Sequence, residues 1–165
     1  MINENEQKLY DILNTLKIEY SRYEHKPIYT IEEANQLDIC IPGEHCKNLF
    51  IRNRKGDVHY LVLLDQDKKV DLKLLSKQIG CTSLSFASKE RLYKYLGLEP
   101  GSVTPFGLIN DTNKEVQILI DKDLVNASKI SFHPNVNTAT ISISYIDLEK
   151  FIKWCGNKIT PICIE

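Results

Sequence analysis

The sequence predicts a mixed α/β fold in one domain, on three observations. Apolar residues switch along the chain between helical spacing and strict alternation, so both element types are expected. Two strand-like runs flank Arg54-Lys55-Gly56-Asp57, a polar connection containing glycine, which reads as a hairpin. The second half then offers four more strand candidates, separated by Asp-, Asn- or Pro-containing turns, before a closing helix. No repeat, low-complexity segment or linker interrupts residues 1–165, so they are expected to form one domain.

The elements follow in order. Leu9, Ile12, Leu13 and Leu16 recur at helical spacing from Glu6 onward, giving an amphipathic helix with one face for the core. Ile18 to His25 alternates with period two and reads as a half-exposed strand ended by Pro27. Thr30 and Glu33 form a capping box for a short helix through about Leu37. The hairpin strands are Lys47 to Asn53 and Val58 to Leu64. Asp71 caps a helix from Leu72 to Ile79 that stops at Gly80, and Ser88 caps another that ends at Gly97, with a short strand over Ser83 to Ala87 between them. The four later strands are Phe106–Asn110, Val116–Ile120, Lys129–Phe132 and Thr138–Ile143. Ser144 with Asp147 caps the last helix, whose apolar face takes Ile146, Leu148, Phe151, Ile152 and Cys155, and Ile162-Cys163-Ile164 adds a final strand.

Composition excludes several classes. A chain of 165 residues that is 42% hydrophobic and 26% charged is long enough to bury a core without metal or disulfide support. Its formal net charge of −1 argues against a protein that coats nucleic acid through a global positive field. Local basic clusters remain: Arg52, Arg54 and Lys55; Lys68, Lys69, Lys73 and Lys77; Lys89, Arg91 and Lys94. Each, taken alone, also suits a solvated face. Five cysteines without paired spacing point to reduced thiols in the cytoplasm. The acidic, polar N-terminus is no signal peptide, and no apolar run approaches the roughly 20 residues of a membrane span.

Three segments place chemistry at strand ends. Lys47 stands before Leu49-Phe50-Ile51, where an ammonium held at a strand mouth can grip a phosphate as a point charge; it also suits the plain role of flanking a buried strand. Asn48 offers both donor and acceptor. His133 precedes Pro134, whose ring restricts the histidine backbone to extended conformations, so its side chain points in a defined direction toward a substrate, a water or a nearby carbonyl. Gly101-Ser102-Val103-Thr104-Pro105 joins a residue free to take positive φ with one that stiffens the turn, a loop able to present backbone groups to a small ligand. No Gly-x-Ser-x-Gly elbow and no P-loop ending occurs. His25, His45, His59 and His133 lack metal-ligand spacing, so neither a metal nor another cofactor is expected. Cys46 beside Lys47 reads either as an activated thiol or as a small buried residue.

The order and spacing of Lys47-Asn48-Leu49-Phe50, Val70-Asp71-Leu72-Lys73, Leu84-Ser85-Phe86-Ala87-Ser88, Gly97 through Asp111, and Phe132-His133-Pro134 with Asn137-Thr138-Ala139-Thr140 resemble the YbaK/ProX family of free-standing editing domains over nearly the whole chain. The ProX branch, whose members remove alanine from tRNA specific for proline, is the most similar. The resemblance implies a mixed, mostly antiparallel, partly closed sheet flanked by helices, and hydrolysis of an aminoacyl ester at the tRNA 3′ end. It implies catalytic roles for Lys47 and His133 and substrate contacts by Asn48, Gly101, Ser102, Pro105 and Asn137. The partners it implies are misacylated tRNA(Pro), through the acceptor end, and prolyl-tRNA synthetase, with no membrane. Cys-tRNA(Pro) deacylation, as in the YbaK branch, and a non-catalytic module binding aminoacyl-tRNA or a synthetase are the competing readings.

Overall fold

The computed structural model describes residues 2–27 and 43–164. The capping box of Thr30 and Glu33 lies outside the described residues. Helix α1 spans Glu4–Thr15, with Asn3 accepting from the Glu6 amide (2.9 Å) and Leu9, Tyr10 and Leu13 turned into the core. The alternating stretch after it is a strand only over Ser21–Glu24 (β1). Strands β2 (Glu44–Asn53) and β3 (His59–Asp65) form the expected hairpin, with Cys46 opposite Asp65 and Arg52 opposite His59. Its turn is organised by Asn53, whose Oδ1 accepts from the amides of Gly56 (2.9 Å), Asp57 (3.1 Å) and Val58 (3.2 Å).

Helix α2 (Leu72–Ile79) begins where Asp71 accepts from the Lys73 and Leu74 amides and ends at left-handed Gly80. After β4 (Leu84–Phe86), helix α3 (Lys89–Leu96) begins at the Ser88 cap and ends at left-handed Gly97. The strand expected over Phe106–Asn110 is instead a 3-10 helix, Pro105–Asn110. Thr104 caps it by accepting from the Phe106 amide (3.4 Å), and Pro105 at its first turn has no N–H to leave unpaired. Strands β5 (Val116–Asp121), β6 (Ile130–Phe132) and β7 (Ala139–Ile143) fall where expected.

Helix α4 (Tyr145–Cys155) is capped by Ser144, which accepts from the Asp147 amide (3.1 Å). Ile146 is not part of its buried stripe: Tyr145, Leu148, Phe151, Ile152 and Cys155 fill that face, and Ile146 is 71% exposed. The last strand, β8 (Ile159–Ile162), starts earlier than expected because Ile159 pairs with Ile118 alongside β5.

The strands form one mixed sheet in the order β1-β7-β6-β2-β3-β5-β8, with β4 also on β2. Four pairings are antiparallel, while β2 with β6, β3 with β5 and β5 with β8 are parallel. Strand alternation sorts the core into two layers. Leu61 and Leu63 of β3 pack with Phe50, Phe106, Phe132 and Phe151 beside α1, α3 and α4; Val62 and Leu64 pack with Ile51, Leu75 and Leu119 beside α2. Strand β3 is therefore buried on both faces, which explains its continuous apolar run.

Candidate active site

The edge of β2 carries two different partners with a gap between them. Parallel β6 pairs at its start, Glu44 with Ile130 and His45 with Ser131. Antiparallel β4 pairs at its end, from Ile51 onward, and the Ala87 amide bonds the Phe50 carbonyl (2.9 Å). Among the described residues no strand pairs with Cys46 to Leu49 on that side. Lys47 and His133 each stand two residues beyond the last rung of the β2–β6 ladder, one on each parting strand. Parting parallel strands leave a crevice at their carboxyl ends, a common place for a ligand.

Lys47 is half-buried, and its Nζ donates to the Lys68 carbonyl. The turn carrying that carbonyl is pinned by the Lys68 ammonium, which bridges buried Asp121 (3.0 Å) and exposed Asp123 (2.5 Å). An ammonium has three donors, so two remain for a ligand.

Asn48 points to the other face of β2, toward the layer containing Phe50. Its amide nitrogen reaches only the Cys46 sulfur (4.0 Å), and its buried Oδ1 finds no hydrogen-bond partner among the described residues. Lys47 and Asn48 therefore cannot line one face together. A ligand that meets both lies along the open edge of β2. Cys46 is no activated thiol: burial, with the Asp65 charge adding to it, pushes the group well above the ordinary thiol range.

His133 lies beyond β6, with Nδ1 2.9 Å from the Ala139 carbonyl. A carbonyl only accepts, so Nδ1 carries the proton and the neutral ring keeps its lone pair on Nε2. Burial lowers the His133 pKa and the neighbouring His25 lowers it further, against the Ala139 hydrogen bond. The His25 ring is 6.0 Å away, held by Lys26 O at Nδ1 and Thr140 Oγ1 at Nε2 (2.7 Å each). Sequence reasoning considered His25 only as a metal ligand. Its signal is a second histidine just past a strand, two residues before Pro27, whereas His133 directly precedes Pro134.

The Gly101–Pro105 loop is brought to the His133 turn from behind. Phe106 stacks edge-on against Phe132 (5.8 Å between ring centres), and Asn135 Nδ2 donates to the Phe106 carbonyl (3.4 Å). Gly101 has φ +96°, which favours glycine. Ser102 is buried with its hydroxyl donated to the Glu99 carbonyl (3.1 Å), so it closes its own turn. Pro105 is buried at the start of the 3-10 helix. Asn137 is half-buried in the turn between β6 and β7. A separate cavity of about 720 Å³, bounded by Asn14, Tyr20, Ser128 and Asp147, contains none of the predicted site residues.

The aminoacyl-tRNA editing domain model matches residues 25–151, which hold the open β2 edge, the loop and the histidine turn. The chain belongs to that family. It is 51% identical over 150 residues to the prolyl-tRNA editing protein ProX of Acetoanaerobium sticklandii, covering 91% of this chain and 92% of that one. It is 32% identical to the prolyl-tRNA synthetase associated domain-containing protein 1 of Danio rerio, covering 96% and 86%. A 105-residue stretch, 60% of this chain, is 31% identical to 17% of the proline–tRNA ligase of Limosilactobacillus reuteri. The fold matches the crystal structure of a candidate trans-editing enzyme for prolyl tRNA synthetase, with TM-score 0.69 at 18% identity over 100% of this chain and 99% of the other. Among the described residues, no helix is long and apolar enough to cross a membrane.

Proposed function

We propose that this editing domain is a cytoplasmic trans-editing hydrolase that deacylates misacylated tRNA(Pro), with Ala-tRNA(Pro) as its main substrate. The observation that carries the reading is the open β2 edge flanked by Lys47 and His133, in a chain that belongs to the aminoacyl-tRNA editing family. The names of the ProX and proline–tRNA ligase relatives support proline-specific tRNA as substrate and prolyl-tRNA synthetase as partner.

In this reading the unpaired 3′ end lies along the gap. Lys47 holds the terminal phosphate with its two remaining donors, and Asn48 Oδ1 accepts from the α-ammonium of the aminoacyl group. The Gly101–Pro105 backbone bounds the amino-acid side chain, with Ser102 and Pro105 fixing the loop's shape and Asn137 bordering it from the histidine turn. His133, neutral with its lone pair on Nε2, accepts a hydrogen bond from the attacking water or a ribose hydroxyl. Water adds to the ester carbonyl, the bond to the ribose oxygen breaks, and that oxygen leaves with a proton. The ester is already activated, so positioning and charge stabilisation suffice without a covalent intermediate. Size supplies selectivity: a synthetase discriminates a missing methylene by only about 1–3 kcal/mol, and a second, smaller pocket hydrolyses what slips through.

The test is deacylation of alanyl-, cysteinyl- and prolyl-tRNA(Pro) by the protein and its Lys47→Ala variant. Fast loss of alanine alone, abolished in the variant at unchanged melting temperature, is expected. Preferential release of cysteine would overturn the alanine assignment, and turnover retained by the variant would overturn the role of Lys47.

A further inference from the structure

Two basic clusters that are far apart in sequence form one surface in the structure. The end of β2 and the hairpin turn after it carry Arg52, Arg54 and Lys55, and α3 carries Lys89, Arg91 and Lys94. Arg91 Nη1 joins them, donating to the Gly56 carbonyl (3.0 Å) and meeting His59 Nε2 (3.1 Å). The approach is close enough that a Cβ on Gly56 would come within 2.9 Å of the guanidinium. His59 is buried between Phe50 and Tyr95, and behind burial its pKa is lowered by Arg91, Arg52 and Lys94, so three of these cations converge on it.

The acidic groups of the two segments are Asp57, bonded by Asn53 Nδ2 (2.7 Å), and Glu90. Six cations against two carboxylates give a local +4 in a chain whose formal net charge is −1, so everything outside the patch sums to −5. Arg54, Lys55, Lys89 and Lys94 are exposed, and Tyr93 presents its ring on the same helix at 62% exposure.

We propose that this surface docks the phosphate backbone of an RNA duplex, the paired acceptor stem of the tRNA whose unpaired 3′ end enters at Lys47. The inference rests on the editing function proposed above. Lys47 and Arg54 lie on one continuous strand and its turn, with roughly 20 Å of strand between Lys47 and Asn53 at about 3.3 Å per residue. That separation holds the unpaired end at one end of β2 and the paired stem at the other. A rigid patch on a chain whose other residues sum to −5 gives orientation as well as affinity, because the field outside it is on balance repulsive to a phosphate backbone. The other occupant a basic face accepts, an acidic protein surface, would leave RNA binding independent of the patch.

The experiment uses uncharged RNA, so its outcome is separate from deacylation. Binding is measured against salt for a hairpin that carries an acceptor stem with its 3′ overhang, and for the single-stranded overhang alone. The proteins are wild type, the triple variant Arg54→Gln/Lys55→Gln/Lys94→Gln, and a control triple at exposed lysines elsewhere, Lys8→Gln/Lys17→Gln/Lys158→Gln. The patch variant is expected to bind the hairpin roughly tenfold more weakly, with a log–log salt slope shallower by about 2–3, and to bind the overhang as wild type does. Equal hairpin binding by the patch variant, or an equal loss in the control triple, would overturn the proposal. Arg91 is left intact because it joins the two segments.

Discussion

Asn48 shows how one residue can be costly in the free protein and useful in a complex. Its Oδ1 is buried without a partner among the described residues, and such an atom costs about 1–3 kcal/mol. Asn48→Leu keeps the volume and removes the orphan. The variant is expected to melt higher by a few degrees, since 1 kcal/mol is worth about 2–4 °C at this size, while KM for aminoacyl-tRNA rises. A lower melting temperature with unchanged KM would mean that the amide serves packing alone. The placement of Lys47 and Asn48 in a strand and of His133 at a strand end was legible in the sequence, because strand boundaries and an X-Pro step are local signals. The contacts that Lys68 and His25 make with them were not. Lys68 reaches Lys47 only through the turn that Asp121 pins, and His25 reaches His133 only through the pairing of β1 with β7.

At the scale of elements, caps were the most legible feature. Asp71, Ser88 and Ser144 each accept the amides that their position in the sequence predicts, because capping is decided within four residues. The run Phe106 to Asn110 reads as a strand because its apolar content suits a strand as well as a buried turn, and periodicity cannot separate the two over so short a stretch. Thr104-Pro105, a cap followed by proline at the first helical position, was the signal to weigh. This 3-10 helix holds the Gly101–Pro105 loop against the end of α3, where Asn110 Nδ2 donates to the Leu96 carbonyl (2.9 Å) and Gly107 packs closely. A Cβ there would stand 2.7 Å from Leu98 Cδ1 and 3.1 Å from the Leu96 backbone oxygen. Gly107→Ala is therefore expected to cost about 1–3 kcal/mol and to slow deacylation by shifting the loop. Chemical denaturation and kcat measured together check it. Wild-type stability with wild-type kcat would show that the loop tolerates the shift.

At the scale of the whole molecule, the sheet order was not legible, because the parallel pairing of β2 with β6 joins segments some 85 residues apart with no local signature. The end of that pairing leaves the gap on the edge of β2, and the hairpin makes the basic surface, so a histidine stands near each end of β2: half-buried His133 beyond β6, and buried His59 on β3 opposite Arg52. His59 is pushed down to about 4, by burial first and then by Arg91, Arg52 and Lys94 against Asp111; His133 is lowered by burial and by His25. Between these folded values and the ordinary 6.5, the unfolded chain binds protons that the folded chain does not. Stability therefore falls as pH drops from about 6.5 toward 4. Glu24, Asp57, Asp123 and Glu149 are held below the usual carboxylate range by hydrogen bonds to Arg22, Asn53, Lys68 and Tyr145 in turn, so their contribution is lost at lower pH still. The urea midpoint is expected to start declining near pH 6.5 through the histidines alone, with the carboxylate loss adding to it only below about pH 5. His59→Gln, which keeps an acceptor for Arg91 but does not titrate, should flatten most of that decline while leaving the His133 share. A midpoint constant from pH 6.5 to 4.5 in wild type, or an identical decline in His59→Gln, would show that His59 is protonated in the folded protein as readily as in the unfolded chain.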